Sequence, residues 1–119
     1  MIQTLPEKVN ANPALVRRGR WTHADMLFES GEDRWIIAIR AGRIEAVTPV
    51  DMGVAHWDFA IRGTAEGWQK FWSALPPPMH HDLHALIRIG KVRLEGDLDM
   101  LQANLLYLKL VLESLRGQA

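Results

Sequence analysis

The sequence predicts an α+β domain: a five-stranded, mainly antiparallel sheet with helices packed on one face. Three observations predict it. Through the first half of the chain, short segments with apolar residues at every second position alternate with tight turns. After Gly63, and again after Gly96, the apolar period lengthens to that of a helix, and leucine dominates the second of these stretches. The 119 residues, 48% hydrophobic and 24% charged, are enough for one core and too few for two.

Each element can be justified in order. Residues 1–19 hold Pro6, Asn10, Asn12 and Pro13 and no clear period, which predicts an irregular lead-in with at most a helical turn over 14–18. The domain proper is expected over 20–119. Strands are predicted at 20–29, 34–40 and 43–48. Ser30-Gly31-Glu32-Asp33 and Ala41-Gly42 supply the turns, and Pro49 stops the third strand. A loop containing Asp51 and Gly53 leads to a fourth strand. Its alternation puts Trp57, Phe59 and Ile61 on one face and His56, Asp58 and Arg62 on the other. Thr64 then opens a helix whose Trp68, Phe71, Trp72 and Leu75 fall at i, i+3, i+4 and i+7.

Pro76-Pro77-Pro78 ends that helix. Residues 79–89 lean helical, with Leu83, Leu86 and Ile87 on one side and Gly90 as the stop. A fifth strand is predicted over 91–95. Asp97 caps a last helix over 98–116, about 28 Å long. Leu98, Leu101, Leu105, Leu108, Leu112 and Leu115 make one seam along it, and Leu106, Leu110 and Val111 widen the apolar stripe.

Composition excludes several functions. There is no cysteine, so disulfides, thiolate catalysis and cysteine-held metals are ruled out. Fourteen basic and fourteen acidic side chains cancel, which gives no electrostatic reason to expect nucleic acid or an anionic membrane as the main partner. No run approaches the roughly 20 apolar residues that cross a bilayer, so stable membrane insertion is not expected. The N-terminal residues lack a secretory leader pattern, and a soluble, cytoplasmic protein is the expectation.

The residues with the most to say about function are apolar. On the second strand Trp35, Ile37 and Ile39, and on the fourth Trp57, Phe59 and Ile61, are expected to face the helices. Trp68, Phe71 and Trp72 would meet them from one helix, and Leu105, Leu108 and Leu112 from the last. These side chains are either a packed core or the walls of a site for a hydrophobic small molecule or lipid. Five tryptophans tilt towards the walls, because large rings with one polar atom suit pockets. Arg40, His56 and Arg62 are weaker candidates for the mouth of such a site.

Catalytic patterns are poor. His80 and His84 would share a helix face at i, i+4, but the residue after His80 is His81, not the glutamate of a metalloprotease, and no third ligand is evident. Ser30, Ser73 and Ser114 sit in no nucleophile elbow. Asp97 and Asp99, or Glu32 and Asp33, are explained by capping and turn chemistry. We therefore expect no enzyme activity, no cofactor and no bound metal. The leucine seam leaves a second class open: an interaction module that docks a host enzyme or a second copy of itself.

The order of strands carries a resemblance. Gly-Thr-Ala-Glu-Gly-Trp-x-x-Phe-Trp at 63–72 follows a Trp-x-Phe-x-Ile strand, and Gly-Lys-Val-Arg-Leu-Glu-Gly-Asp at 90–97 precedes a leucine-rich helix. Together they resemble the sterol carrier protein type 2 family over roughly residues 21–115. The resemblance implies an apolar tunnel between sheet and helices and binding of sterols, fatty acids, acyl-CoA esters or other lipids such as isoprenoids. It places Gly63 and Thr64 at the strand-to-helix turn, Trp68 and Phe71 on the helix that closes the tunnel, and Gly90, Gly96 and Asp97 at the turns around the last strand. The chain departs from the family in its proline-broken N-terminal region, where members usually begin with a well-formed helix. It also carries no peroxisomal tripeptide at 117–119.

Overall fold

A computed structural model describes residues 1–50 and 56–117. Five strands form one sheet: β1 (His23–Ser30), β2 (Asp33–Arg40), β3 (Arg43–Pro49), β4 (Phe59–Gly63) and β5 (Val92–Gly96). Their spatial order is β3-β2-β1-β4-β5. Every neighbouring pair is antiparallel except β1 and β4, which run parallel. Turn chemistry accounts for the two hairpins. Gly31 has φ +63°, and Ala41 and Gly42 have φ +52° and +78°, the paired positive values of a two-residue hairpin turn. The predicted loop residues Asp51 and Gly53 lie outside the described residues.

The side-chain period of two separates the faces. Met26, Phe28, Ile37, Ile39, Phe59 and Ile61 point to the helices and are fully buried. The opposite face carries ion pairs, Arg40 with Asp25 at 2.9 Å and Arg62 with Glu29 and Glu95 at 2.8 and 2.7 Å. Trp57 departs from the expected alternation. It precedes β4 and lies with its ring 5.8 Å from the Arg62 guanidinium, away from Phe59 and Ile61.

The N-terminal region is the main correction. Residues 1–19, expected to be irregular, hold a short 3-10 turn at Ile2–Thr4 and the helices α1 (Leu5–Asn10) and α2 (Pro13–Arg18). Pro6 and Pro13 do not break these helices because both stand in a first turn, where the missing N–H had no partner to lose. Asn12 caps α2 by accepting a hydrogen bond from the Leu15 N–H at 3.2 Å. The Asn10 side chain accepts from the Ile44 N–H and donates to the Ile44 carbonyl, at 2.8 and 2.9 Å, which fastens α1 to the edge strand β3. Ile2, Leu5, Val9 and Leu15 are buried in the same core as the rest of the chain, so the core extends across residue 20.

The three further helices that the sequence predicts are each shorter than their pattern or broken in two. Helix α3 (Ala65–Phe71) begins as predicted, with Thr64 accepting from the Gly67 N–H at 2.9 Å. It ends at Phe71, so Leu75 leaves the stripe and is 90% exposed. Helix α4 (Leu83–Arg88) closes through two hydrogen bonds, from the Gly90 N–H to Ile87 and from the Lys91 N–H to Leu86. The single helix expected over 98–116 is two: α5 (Leu98–Ala103) and α6 (Leu105–Glu113). Asn104 breaks it with φ −115° and ψ 14°, its side chain donating to the Met100 carbonyl and accepting from the Thr22 hydroxyl at 2.7 Å. The seam survives the break: Leu101, Leu108, Leu112 and Leu115 are fully buried, while Leu98 and Leu106 are exposed.

Candidate functional site

The apolar layer between sheet and helices is organised by aromatic rings. Phe28 lies 4.9 Å from Trp68 and 5.9 Å from Trp72, centroid to centroid, and Trp68 meets Phe71 edge-on at 5.5 Å. Both indole N–H groups are satisfied by backbone. Trp68 donates to the Glu29 carbonyl and Trp72 to the Leu112 carbonyl, each at 2.9 Å. These two bonds tie α3 to β1 and to α6. Arg116 closes the layer from the other end, donating to the Phe71 and His81 carbonyls with its guanidinium over the Phe71 ring.

The predicted wall residues divide accordingly. Ile37, Ile39, Phe59, Ile61, Trp68, Phe71, Leu108 and Leu112 are fully buried, and Trp72 is nearly so. Trp35 and Leu105 are half-buried against this core. One apolar cavity, of about 170 Å³, lies at the Ser30 end of β1, lined chiefly by Ile2, Phe28, Trp35 and Trp72. Trp35 and Trp72 are the predicted residues that reach it. Phe28 and Ile2 were missed. Phe28 was legible, since Met26 and Phe28 alternate in β1. Ile2 was not, because its helical turn falls in a stretch without a period.

None of the three polar candidates stands at this cavity. Arg40 and Arg62 are held in the ion pairs of the outer sheet face, and His56 stands 3.6 Å from Asp58. A polar depression of about 230 Å³ beside Arg62, Lys91 and Arg93 has its cations already paired, with Glu29, Glu66 and Glu95. Asp25, His56 and Asp58 bring ligand atoms within 4.8 Å of one another. One Asp25 oxygen accepts from Arg40 and one Asp58 oxygen from the Asp25 N–H, so this group is already tied into the ion pairs of the outer sheet face. His80 and His84 do not share a helix: His80 precedes α4, is buried, and has its Nδ1 2.9 Å from the Pro78 carbonyl, while His84 is exposed in the first turn.

The charges have consequences for pH. Hydrogen bonding from Arg62 holds Glu95 below the usual carboxylate range, and Lys91 and Lys70 do the same for Glu66. Partial burial of Asp82 works towards a raised value, but the His84 N–H and Lys109 outweigh it and keep it low. Burial pushes the Tyr107 hydroxyl well above its ordinary value, so it stays protonated and donates to the Gly42 carbonyl at 2.6 Å. Depressed carboxylates mean that the unfolded chain binds more protons. This contribution to stability is therefore complete from about pH 5 upward, above the unfolded carboxylate values, and is lost as the pH drops through the lower folded-state values. Urea midpoints should be lower near pH 3 than near pH 7. Arg62→Met should lower the unfolding free energy at neutral pH by roughly 1–3 kcal/mol and narrow that gap. A gap of unchanged width would show that Arg62 does not set the acid response.

No protein-family profile and no curated protein matches this sequence. Solved structures do match its shape. A crystal structure of sterol carrier protein 2 superposes with TM-score 0.74 at 18% identity, over 96% of this chain and 92% of that one. A ubiquinone synthesis protein, UbiJ-SCP2, gives 0.60 at 19% identity, over 92% and 91%. The sterol carrier protein domain 2 of Helicoverpa armigera gives 0.60 at 15%, over 94% and 84%. The fold is thus the sterol carrier protein 2 fold, as the order of the sequence motifs predicts.

Proposed function

We propose that this protein binds or transfers a lipid-like apolar molecule and catalyses no reaction on it. The observation that carries the proposal is the aromatic cavity between Phe28, Trp35 and Trp72, in a fold shared along almost the whole chain with sterol carrier protein 2. Affinity would come from desolvating the apolar tail against these rings. At about 170 Å³ the cavity is smaller than the ~300 Å³ at which ligand pockets usually begin. A lipid chain fits only if neighbours move. Ile2 is the neighbour with the least to lose, since it is held by one 3-10 turn rather than by the sheet.

An isoprenoid tail belongs among the ligands tested, alongside a sterol and a fatty acid, because one structural neighbour is a ubiquinone synthesis protein. The same likeness makes an accessory role beside a host enzyme the natural setting for such binding.

Native mass spectrometry with lipid extraction tests the proposal on the protein as purified, followed by titration with a fluorescent fatty acid, a sterol and an isoprenoid quinone. One apolar molecule per chain is expected. Trp35→Ala should weaken that binding about tenfold, the contact worth of a partly buried ring, with a modest loss of stability because Trp35 is only half-buried. A chain that copurifies empty and binds none of the three, or a Trp35→Ala protein with wild-type affinity, would refute the carrier role.

A further inference from the structure

We infer that the outer edge of β5 pairs with the same edge of a second copy of this chain, joining the two sheets into one about a two-fold axis at Leu94. The two edges of the sheet differ. At β3 the Asn10 side chain engages both the N–H and the carbonyl of Ile44, so that edge is occupied by α1. The edge at β5 has no such cover among the described residues. Its register with β4 gives the direction of each backbone group. The Thr64 N–H donates to the Lys91 carbonyl and the Asp97 N–H to the Asp58 carbonyl, and between these two bonded pairs the antiparallel pattern alternates. Arg93 and Glu95 therefore bond inward to β4, while Val92, Leu94 and Gly96 turn their N–H and carbonyl groups outward. No turn or loop backbone among the described residues hydrogen-bonds those outward groups.

The sequence of β5, Val-Arg-Leu-Glu-Gly, is complementary to itself. Two copies running antiparallel about Leu94 set Leu94 opposite the partner's Leu94 and Arg93 opposite the partner's Glu95. The outward groups of the two Leu94 residues then bond reciprocally, and the Gly96 N–H meets the partner's Val92 carbonyl. Arg93 and Glu95 fall at the non-bonded positions of the new ladder, where facing side chains come closest. Edge strands are commonly guarded by charge, and a guard of one sign repels a second copy. Here the two charges are opposite and symmetric about the centre, so a second copy is attracted.

The outer face gives the same answer. Arg62 and Arg93 stand directly opposite each other in β4 and β5, a like-charge pair that is unfavourable by itself. Glu95 serves both, accepting from Arg62 at 2.7 Å and from Arg93 at 2.9 Å. Arg93 thus shares its carboxylate and keeps its side chain 70% exposed. The partner's Glu95 supplies a second carboxylate and carries the row Glu29, Arg62, Glu95, Arg93 into the other copy. Apolar side chains bracket the strand: Ile89 before it is 37% exposed and Leu98 after it 46%. Antiparallel pairing brings each of them to the end where the partner carries the other. An edge of five residues is a small interface, so the dimer is weak and reversible, with a dissociation constant on the order of 100 μM.

Sedimentation velocity between about 10 μM and about 1 mM tests the inference across the range expected of small interfaces. Wild-type protein, stripped of any lipid, should pass from monomer to dimer. Arg93→Glu sets like charges across the axis twice and should weaken association by roughly 30-fold, since two pairs change from attraction to repulsion. Glu95→Lys should do the same with the other sign. An equimolar mixture of the two variants should dimerise again, because opposite charges then face each other at both positions. Arg93→Glu should keep wild-type far-ultraviolet dichroism, as befits an exposed side chain, so its loss of association is not unfolding. Wild-type protein that stays monomeric throughout, variants that dimerise as wild type does, or a mixture of folded variants that stays monomeric would overturn the inference. None of these results depends on the carrier function, because association is read on empty protein.

Discussion

Leu108→Asp should leave this protein unfolded at room temperature. Leu108 is fully buried in α6, within the core that joins sheet and helices. Truncating a leucine there costs about 2–5 kcal/mol through lost contacts and the cavity left behind. A carboxylate with no partner adds several kcal/mol more, or shifts to its neutral form at comparable cost. The sum approaches the ~5–15 kcal/mol that a whole domain has available. Leu106→Asp, two residues earlier and 54% exposed, should change stability by no more than about 0.5 kcal/mol. Far-ultraviolet dichroism and gel filtration of the two variants separate two uses of the leucine seam. If Leu108→Asp gave a folded monomer, the seam would belong to an interface between chains instead of the core.

Trp68→Ala should produce the second-largest loss, about 3–5 kcal/mol, seen as a fall in melting temperature of roughly 10–20 °C. Three features converge on this side chain. It is fully buried, it contacts Phe28, Phe71 and Trp72 through its rings, and its indole N–H donates to the Glu29 carbonyl. Gly63, at the strand-to-helix turn, lies so close that a Cβ there would overlap the indole. Trp68→Phe keeps most of the apolar area and loses the hydrogen bond, so about 1–2 kcal/mol is expected from it. Calorimetry of the two variants apportions ring packing and hydrogen bond. Equal losses for both would mean that the Glu29 bond, not the packing, holds α3 on the sheet.

Much of this arrangement was legible in the sequence because its signals are local. The period of two exposed β2 and β4, and the turn residues at Gly31 and Gly42 placed the hairpins. Thr64 and Asp97 marked two helix starts, and their side chains do accept the expected hydrogen bonds. The proline-broken N-terminal region misled, because Pro6 and Pro13 read as breakers when position in the first turn makes them helix starters. The leucine seam misled in the opposite sense. Its period ran unbroken through Asn104, and the break there comes from a bond to Thr22, 82 residues away in sequence.

The candidate site was less legible than the fold. Periodicity identifies which side chains face inward and says nothing about how completely they fill the space between layers. Trp57 shows the limit: it shares the parity of Phe59 and Ile61, yet it precedes the strand and turns to the Arg62 guanidinium. Phe59, Ile61, Trp68 and Leu108 are fully buried in one core cluster, while Trp35 and Trp72 line the cavity together with Ile2, a residue from the far end of the chain.

By itself, then, the sequence determined the fold class, the succession of strands and helices along the chain, the apolar character of the sheet's covered face and the absence of thiol chemistry. These follow from residue type and short-range spacing, which act through local backbone preference and face-by-face burial. Tertiary structure alone decided where the N-terminal helices sit, which tryptophans border open space, and which of the balanced charges meet as ion pairs across the outer sheet face. Those outcomes depend on contacts between residues distant in sequence, and a list of residues carries no distances.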